Sequence, residues 1–484
     1  MEHVLSVPLL LLIGLSVVLL NVVISGLRSP LSSLPGPWYT KFTNVVLRFQ
    51  ILTGRRIHYV DYLHQRYGPV VRIAPDEVAV NDVEAFSQIH KIGAGFLKSQ
   101  WYDTVTAWEP GIFEMRDPRQ HAARRRLFAR AFSNSSLRRN WEAEIRAKGD
   151  LAVARIKADA LAGGADILKW WTLMTTDVIS HLAFGESFHM LETGKKTPYI
   201  DAIQSALLGS VLRTEAPWLH RAARWLPFEG LQSIVTSDDV VYEHGALAVR
   251  NMRNQSANTQ NLFGQMLADA DKEDKSSISD SSIRTEAGNF IVAGSDTTAV
   301  TLTYLVWAVL KNPVLQQQLE EEVAGLSPEL DADELTNAPL LNSVIEETLR
   351  LYGAAPGALP RVVPGNGVEF CGNHIPGGTV VSTQAFSLHR DASLFPDPNR
   401  FDGYRFIDKS TVTDSQKIAF SPFGAGSRIC LGLHLAWMEL RLGAALFFRE
   451  CRGARLESSM TDEMMEMDNR FLIAPKGKRC IVEI

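Results

Sequence analysis

Residues 423–432 read FGAGSRICLG, and this stretch says more about the fold than any other part of the chain. At average residue frequencies, such a pattern arises by chance in about one chain in 10⁴ to 10⁵ of this length. Its glycines permit a tight turn with φ > 0. The apolar run over residues 433–448 predicts a helix directly after it. Because Cys430 comes just before that helix, the helix dipole favours its thiolate form.

These residues fit a thiolate ligand to haem iron. Cys430 would bind the metal, Arg428 would pair with a haem propionate, and Phe423 would shield the sulfur from water. Gly426 would let the backbone pass close to the macrocycle, and Gly432 would leave space beside the haem face. The competing interpretation is a buried structural cysteine, which we expect for the other three cysteines because they lack such neighbours.

The stretch resembles the cysteine loop of the cytochrome P450 superfamily, the haem-thiolate monooxygenases. Three further segments resemble family motifs and occur in the family's order: AGSDTT at 293–298, ETLR at 347–350 and FPDPNRFDGYRF at 395–406. The resemblance runs from Pro35 to the C-terminal strand region, and it is greatest with fungal secondary-metabolism members. It implies the cytochrome P450 fold, mainly α with small β-sheets (α+β), and haem b held by Cys430 as the axial ligand.

The AGSDTT segment lies in the middle of a long predicted helix that ends at Asn312-Pro313. Glycine, aspartate and two threonines are costly choices inside a buried helix. The resemblance makes Asp296 and Thr297 catalytic: Thr297 would donate a hydrogen bond to bound oxygen, and Asp296 would relay protons from water. Gly294 would widen the groove for dioxygen. The alternative is a packing helix whose threonines bond back to carbonyls four residues earlier.

Glu347 and Arg350 share a helix face because they are three residues apart. The plain interpretation of this pair is a surface salt bridge. The resemblance adds Arg405 as the third member of a buried structural triad, whose loss would prevent haem incorporation. Because the residues before Arg405 depart from the family's common Pro-Glu-Arg-Phe form, Arg400 stays open as the third member.

A basic segment, HAARRR, resembles a family region in which tryptophan and arginine reach a haem propionate. His121 and Arg125 stand at that spacing, and each keeps a hydrogen-bond donor. Arg361 follows the Glu–Arg helix at the family's spacing and is a further propionate candidate. Arg124 and Arg126 are expected to be surface charges that face a redox partner.

The composition excludes several other classes of protein. The 484 residues are 46% hydrophobic and 21% charged, with a formal net charge of −5. Such a chain is globular, and its acidic balance argues against binding to nucleic acid. Four cysteines without a CxxC pair predict neither a disulfide framework nor a zinc site. There is no strand–GxGxxG–helix unit, so the chain has no nicotinamide or flavin domain of its own.

Residues 4–24 carry no charged side chain, and as a helix they match the thickness of a bilayer core. Glu2 precedes this span while Arg28 and Lys41 follow it, so the positive-inside rule places the rest of the chain in the cytosol. The alternative, a cleaved signal peptide, is disfavoured because the basic start is missing. We therefore expect a single-pass protein of the endoplasmic reticulum, with its catalytic domain on the cytosolic side and membrane lipid around the anchor.

Three parts of the chain are predicted: a membrane anchor at 1–27, a proline-rich hinge at 28–40 and the catalytic domain at 41–484. Within the last, helices dominate and strands are short. The predicted elements are a hairpin of 70–73 with 77–80, a small sheet within 362–381, helices at 141–161 and 166–184, and an exposed polar connector at 269–282.

The resemblance also implies the reaction. The protein would hydroxylate or epoxidise a small, apolar, mid-sized substrate, such as a terpenoid or a polyketide, with O2 and electrons from an NADPH–cytochrome P450 reductase. The segments expected around the substrate are 101–113, 202–218, 354–359 and 471–472, which are mostly apolar. One alternative is a haem-thiolate isomerase or dehydratase that needs no O2, against which the Asp296–Thr297 pair argues. A non-enzymatic haem sensor is a second alternative.

Overall fold

A long buried helix, Asp280–Leu310, passes through the middle of the molecule. The computed structural model describes residues 2–254, 261–264 and 278–484, so most of the predicted polar connector lies outside the described residues. The prediction of a mainly helical fold with small sheets is confirmed. In chain order the helices are α1 (Glu2–Arg28), α2 (Val45–Leu52), α3 (Arg56–Tyr67), α4 (Val83–His90), α5 (Pro118–Ala129), α6 (Asn134–Leu161), α7 (Ile167–Phe184), α8 (Met190–Thr193), α9 (Pro198–Glu215), α10 (Pro217–Ala223), α11 (Glu229–Asn254), α12 (Asp280–Leu310), α13 (Pro313–Ala324), α14 (Ala332–Asn337), α15 (Pro339–Tyr352), α16 (Ala385–Leu388), α17 (Asp414–Ala419) and α18 (Leu433–Glu450).

The strands are short. They are β1 (Val70–Ala74), β2 (Glu77–Val80), β3 (Leu97–Lys98), β4 (Ala165–Asp166), β5 (Arg361–Val362), β6 (Val368–Phe370), β7 (Asn373–Ile375), β8 (Val380–Ser382), β9 (Arg455–Leu456), β10 (Met467–Asn469), β11 (Ile473–Pro475) and β12 (Ile481–Glu483).

The largest sheet has the strand order β1-β2-β8-β5-β3. β1 and β2 form the predicted antiparallel hairpin, in which Val70 pairs with Val80. β8 adds to β2 in parallel, and β5 then adds antiparallel to β8. The predicted sheet region around residues 362–381 therefore supplies two strands to this sheet, while β6 and β7 form a hairpin of their own.

Helix α12 packs against α7, α11, α15 and α18. Its N-cap is Ser279, whose hydroxyl accepts a hydrogen bond from the Ser282 amide. From Thr298 onward every side chain of the helix is buried. A Cβ on Gly294 would lie only 2.7 Å from Ile179 Cγ1 in α7. The glycine therefore lets α12 and α7 approach closely, which gives it a packing role different from the groove-widening role predicted for it.

The proline-rich segment after α1 is anchored to the largest sheet. Leu31 and Leu34 are buried in one cluster with side chains of β1 and β2. Arg72 of β1 is 1% exposed; its Nη1 donates to the Leu31 carbonyl at 2.6 Å, and its Nε donates to Thr40 Oγ1 at 3.1 Å. Burial lowers the pKa of this guanidinium. Before this segment, the span Val7–Arg28 has a mean hydropathy of 2.8 and is long enough to cross a bilayer.

Replacing Arg72 should loosen the proline-rich segment from the sheet. In Arg72→Met, the Leu31 carbonyl and the Thr40 hydroxyl lose their buried donors, which costs about 1–3 kcal/mol for each unsatisfied group. We expect limited proteolysis to cut between residues 28 and 44 at least several-fold faster than in the native protein. Arg66→Met is the control, because Arg66 is exposed and its contacts with Tyr62 and Tyr67 stay within α3. Equal cleavage of both variants would contradict this role.

Candidate functional site

The loop over residues 423–432 folds back on itself. The Cys430 amide donates to the Phe423 carbonyl at 2.9 Å. Gly424 and Gly426 have φ of 71° and 65°, a left-handed conformation that residues with a Cβ rarely adopt. A Cβ on Gly426 would also lie 2.0 Å from the His90 carbonyl oxygen. Backbone geometry therefore explains both glycines.

Cys430 lies directly before α18 and faces the interior of a large cavity. A Cβ on Gly432 would meet only Cys430 Sγ, at 4.0 Å, so protein packing does not require a glycine there. Burial raises the pKa of the Cys430 thiol, although the Gly432 amide and Arg125 act to lower it. The expected stabilisation by the helix terminus is thus outweighed by desolvation. A bound metal cation would be needed to hold the sulfur as thiolate.

The cavity has a volume of about 1580 Å³. On one side it is lined by Cys430 and on another by Ala293, Asp296 and Thr297 of α12. All four segments expected around a substrate contribute residues to its wall, including Phe471. The wall is less apolar than the sequence suggested, because it also contains several charged side chains on α2, α3, β2 and α9.

A cluster of cationic side chains lies beside the cysteine loop. Arg428 donates to the carbonyls of residues 115 and 116, and Arg125 donates to the Ile429 carbonyl at 2.7 Å. Arg361 is 4% exposed and donates to the Tyr102 hydroxyl at 3.1 Å. Their partners are thus mainly neutral oxygen atoms, and the positive charge stays uncompensated by these contacts. The structure brings together three of the predicted propionate-binding residues.

Two further members of this cluster show the effect of that charge. Burial, Arg428 and Lys98 lower the pKa of His121 to about 3, with smaller effects of Arg125 and Arg361. Burial, followed by Arg361, lowers the pKa of Arg428 to about 10. Lys98, which the sequence analysis missed, is 5% exposed, and its pKa is lowered by burial and by the same two arginines. A group with two carboxylates would relieve this repulsion.

The residues present therefore fit a haem. A cavity of sufficient size has one thiol on its wall, and next to that thiol lies a cluster of cations whose hydrogen bonds go mainly to neutral oxygens, as an iron porphyrin with two propionates requires. Across residues 2–254, 261–264 and 278–484, no group of three His, Cys, Asp or Glu side chains could hold a metal ion by itself. A metal at Cys430 would accordingly need the additional ligands of a prosthetic group.

On the α12 side of the cavity, the Thr297 hydroxyl donates to the Ala293 carbonyl at 2.6 Å. This is the back-bonding that the alternative interpretation predicted, and it leaves the hydroxyl oxygen free to accept a hydrogen bond from the cavity. Burial raises the pKa of the neighbouring Asp296 carboxyl, while Lys196 acts to lower it. The two adjacent residues thus place a hydroxyl and a weakly acidic carboxyl on the cavity wall.

A second buried acid on the cavity wall is Glu439 of α18. It is 1% exposed, and its Oε1 has no hydrogen-bond partner among the residues that the structure describes. Burial raises its pKa to about 8, and a hydrogen bond with Thr298 acts to lower it. The sequence analysis missed Glu439, although a glutamate within the apolar run LHLAWMELRLGAALFF was a signal for it.

Glu347, Arg350 and Arg405 form a buried network near the cysteine loop. Arg350 Nε and Nη2 donate to the two Glu347 oxygens at 2.7 and 2.8 Å. Arg405 Nε lies 3.0 and 3.2 Å from the same two oxygens. The Arg400 side chain is 68% exposed and lies near Asp397 and Asp402 instead. Of the two arginines left open by the sequence, Arg405 is therefore the one whose side chain joins Glu347.

His389 connects this network to the cysteine loop. Arg350 Nη1 donates to the His389 carbonyl at 2.6 Å, and the His389 ring returns a bond from Nδ1 to the Arg350 carbonyl at 2.8 Å. Its Nε2 then accepts from the Ser421 amide at 2.9 Å, two residues before Phe423. Burial lowers the pKa of this imidazole to about 3, so the neutral tautomer with both bonds satisfied persists.

One expectation about the basic segment is wrong. Arg124 is not a surface charge: its Nη1 donates to Glu286 Oε1 at 2.8 Å, and Glu286 is fully buried on α12. Burial raises the pKa of Glu286 to about 7. The Ile112 amide also donates to Glu286 Oε1, at 2.9 Å. Glu286 therefore joins α12 to α5 through Arg124 and to the loop before α5 through the Ile112 amide, whereas Arg126 is exposed as expected.

Known proteins resemble this chain over most of its length. The family model described as Cytochrome P450 matches residues 35–482. The chain is 42% identical to Cytochrome P450 monooxygenase stcB of Emericella nidulans, over 94% of this chain and 89% of that protein. It is 41% identical to Cytochrome P450 monooxygenase aflV of Aspergillus parasiticus, over 94% and 92%. It is also 34% identical to Methylphloroacetophenone oxidase of Cladonia uncialis, over 77% and 85%.

Substituting Glu347 should destabilise the fold strongly. Glu347→Gln leaves two buried guanidinium groups without their shared carboxylate, which costs about 3–5 kcal/mol. Urea unfolding should show this loss as a lower midpoint. Glu346→Gln is the matched control, because the neighbouring carboxyl is partly exposed and pairs with exposed Lys409, so its loss costs about 1 kcal/mol or less. Similar midpoints for the two variants would rule out the buried network as a source of stability.

Glu439 should make stability depend on pH. Its folded pKa of about 8 lies above the unfolded value, so the folded state binds more protons than the unfolded state between about pH 4.5 and 8. Its contribution to the free energy of unfolding must then fall as the pH rises through this window. Glu439→Gln removes this titration. Relative to the native protein, the variant should therefore be more stable at pH 8 than at pH 5, by about 1 kcal/mol or more in the free energy of unfolding. The free energies of unfolding of the native protein and of Glu439→Gln are measured with denaturant across this pH range. Parallel pH dependences of the two would contradict the raised pKa.

Proposed function

Because the chain belongs to the cytochrome P450 family, we propose that it is a membrane-anchored haem-thiolate monooxygenase in which Cys430 is the axial ligand of haem b. The observation that supports this best is a single thiol, facing a large cavity, with the Asp296–Thr297 pair on the cavity wall and a cluster of unneutralised cations beside it. When bound, haem supplies activation of O2, so that one oxygen atom enters the substrate and the other leaves as water.

In this proposal each residue has a binding or shielding role. Cys430 holds the metal, and Phe423, packed against the main hydrophobic core, keeps water from the sulfur. Arg125, Arg361, Arg428, His121 and Lys98 hold the propionates. Gly426 keeps the loop close to residue 90, and Gly432 leaves room beside the sulfur.

Two carboxyl groups are placed to deliver protons to the cavity. Asp296 is half-buried, and desolvation raises the pKa of its carboxyl, so it can take a proton from water and pass it on without a large energetic cost. The Thr297 hydroxyl is fixed by its bond to the Ala293 carbonyl, and its oxygen accepts a hydrogen bond from a water or from the proton being transferred. Glu439, whose pKa burial raises to about 8, holds a second proton near neutral pH.

The proposed substrate is an apolar, mid-sized secondary metabolite, which the protein hydroxylates or epoxidises. The apolar part of the wall, with Ala293, Phe113, Leu359 and Phe471, supports this class. The name of the relative Methylphloroacetophenone oxidase refers to the oxidation of a phenolic ketone. We extend that chemistry to this chain as a proposal, which favours an aromatic polyketide over a terpenoid.

Electrons would come from a separate NADPH–cytochrome P450 reductase, because the sequence contains no flavin- or nicotinamide-binding unit. The apolar helix at the N-terminus supports an anchor at 1–27, a hinge at 28–40 and a catalytic domain at 41–484 on the cytosolic side of the endoplasmic reticulum. Buried Leu31 and Leu34 would make that hinge a docked connection that holds the catalytic domain near the membrane surface.

The ligand and the proton path can be tested separately. Reduced, CO-bound protein should show the Soret band typical of thiolate ligation, and Cys430→Ser should abolish it while the control Cys371→Ser keeps it, because Cys371 is exposed on a distant hairpin turn. Thr297→Ala should keep the band but uncouple consumption of NADPH and O2 from product, by about tenfold or more.

Two results would overturn the proposal. A normal thiolate band in Cys430→Ser would remove this residue from the iron. Product formation with substrate present but without O2 consumption would identify an isomerase or dehydratase instead of a monooxygenase.

A further inference from the structure

The cavity has a second polar region, which the proposed chemistry does not use. It is formed by elements outside both the cysteine loop and α12: helix α2, the start of α3, the end of α9, strand β2 with the turn before it, and the hairpin of β10 and β11 with the residues that follow it. Four cationic and four anionic side chains line the cavity in this region. They are Arg48, Arg56, Arg470 and Lys478, with Asp76, Glu77, Glu215 and Asp468.

Arg56 has a free hydrogen-bond donor in this region. Its Nη2 lies 3.3 Å from Glu77 Oε1, and Ser382 Oγ donates to the same oxygen at 3.2 Å. These contacts fix one arm of the guanidinium, whose side chain is only 12% exposed. The other arm, Nη1, is buried and has no hydrogen-bond partner within the described part of the chain. A buried donor without a partner is costly, so this geometry favours a ligand that supplies an acceptor.

A carboxyl oxygen without a hydrogen-bond partner in the described part of the chain, Asp468 Oδ1, lies on the neighbouring strand β10. Asp468 Oδ1 is buried and accepts no hydrogen bond from any described residue, and its nearest cation, Arg470 Nε, is 3.6 Å away. Backbone pairing of Arg55 with Asn469 brings the start of α3 beside β10. A Cβ on Gly54 would overlap Asp468 Oδ1, so this oxygen packs against the backbone just before α3. Arg56 Nη1 is therefore the unsatisfied polar atom in this region that calls for an oxygen acceptor.

Aromatic rings flank this polar region. The rings of Trp101 and Phe471 are 6.0 Å apart, and those of Phe113 and Phe471 are 5.5 Å apart. Trp101 also hydrogen-bonds Glu215, a carboxyl whose pKa is raised mainly by burial. Flat apolar surfaces next to polar atoms suit an aromatic ring that carries oxygen substituents.

The charges in this region balance, so they do not select an ionic ligand. A carboxylate brought to Arg56 would also approach Glu77 and Glu215, which would repel it. A neutral carbonyl or phenolic oxygen accepts from the guanidinium without that repulsion. The local chemistry therefore selects an uncharged oxygen acceptor.

We propose that Arg56 Nη1 is a specificity determinant, which hydrogen-bonds an uncharged carbonyl or phenolic oxygen on the part of the substrate that lies away from the haem. This inference rests on the proposed function and adds to it: the substrate is an uncharged oxygenated aromatic molecule, which Arg56 orients between Trp101 and Phe471.

A matched pair of probes tests this without knowledge of the natural substrate. Each probe is a 1-alkylimidazole, whose free ring nitrogen binds haem iron and shifts the Soret band. One ends in an aryl methyl ketone, and its partner has the ketone oxygen replaced by CH₂. Across a series of chain lengths, the ketone should bind about tenfold tighter than its partner at the optimal length in the native protein. In Arg56→Gln this ratio should fall to within about twofold of one.

Three variants separate the outcomes. Arg56→Lys keeps a charge for Glu77 but lacks the second nitrogen, so it should lose the preference even if Arg56→Gln folds poorly. Arg48→Gln is the control: Arg48 lines the same region, is 40% exposed and lies 4.0 Å from Glu215, and its loss should leave the ratio unchanged. Equal affinities of the two probes at every length, or a preference that survives both Arg56 variants, would overturn the inference. Absence of any nitrogen-ligation shift would instead indicate failure of the proposed function.

Discussion

The architecture of the site depends on one buried carboxylate. Glu347 is fully buried, yet it accepts hydrogen bonds from both Arg350 and Arg405, so its charge is matched inside the protein. Because a half-satisfied buried network is more costly than none, the three side chains must assemble together. Arg350 then reaches His389, and His389 reaches the backbone of the cysteine loop. The position of Cys430 is in this way coupled to a network outside the cavity.

The second constraint is the cluster of cationic side chains beside the cysteine loop, whose hydrogen bonds go mainly to neutral oxygen atoms. Burial and the charge of Arg361 lower the pKa of both Arg428 and Lys98, and Arg428 lowers that of Lys98 further. Most of the hydrogen bonds of these side chains go to uncharged oxygens. A folded chain that keeps such repulsion needs an anionic ligand to relieve it. The family's cofactor has this property, so its binding would contribute to stability as well as to chemistry.

Much of this could be predicted from the sequence, because the cysteine loop combines residues with strict backbone requirements. The two left-handed glycines and the hairpin of β1 and β2 follow from local turn chemistry. Long-range partners could not be predicted in the same way. Arg124 meets Glu286 across 162 residues, and nothing local distinguishes it from an exposed arginine.

Short elements and the positions of single residues also could not be predicted from the sequence. Lys98 lies on a two-residue strand that has no periodicity to detect, and only the sheet places it beside the cysteine loop. Arg405 was the predicted third member and Arg400 its rival, and only the folded turn between them directs the first inward and the second to solvent. Glu439 did give a signal, as a single acid within an apolar helix, but its position on the cavity wall depends on how α18 packs.

The contact between Gly294 and Ile179 has a consequence for how such proteins diverge. The Ile179 side chain fills the space that a side chain at position 294 would need. A larger residue at position 294 therefore requires a smaller one at position 179. The segment beside Asp296 is therefore not free to vary alone. In related proteins, replacements on α12 at position 294 should therefore occur together with replacements on α7 at position 179, so that the summed volume of the two side chains is preserved.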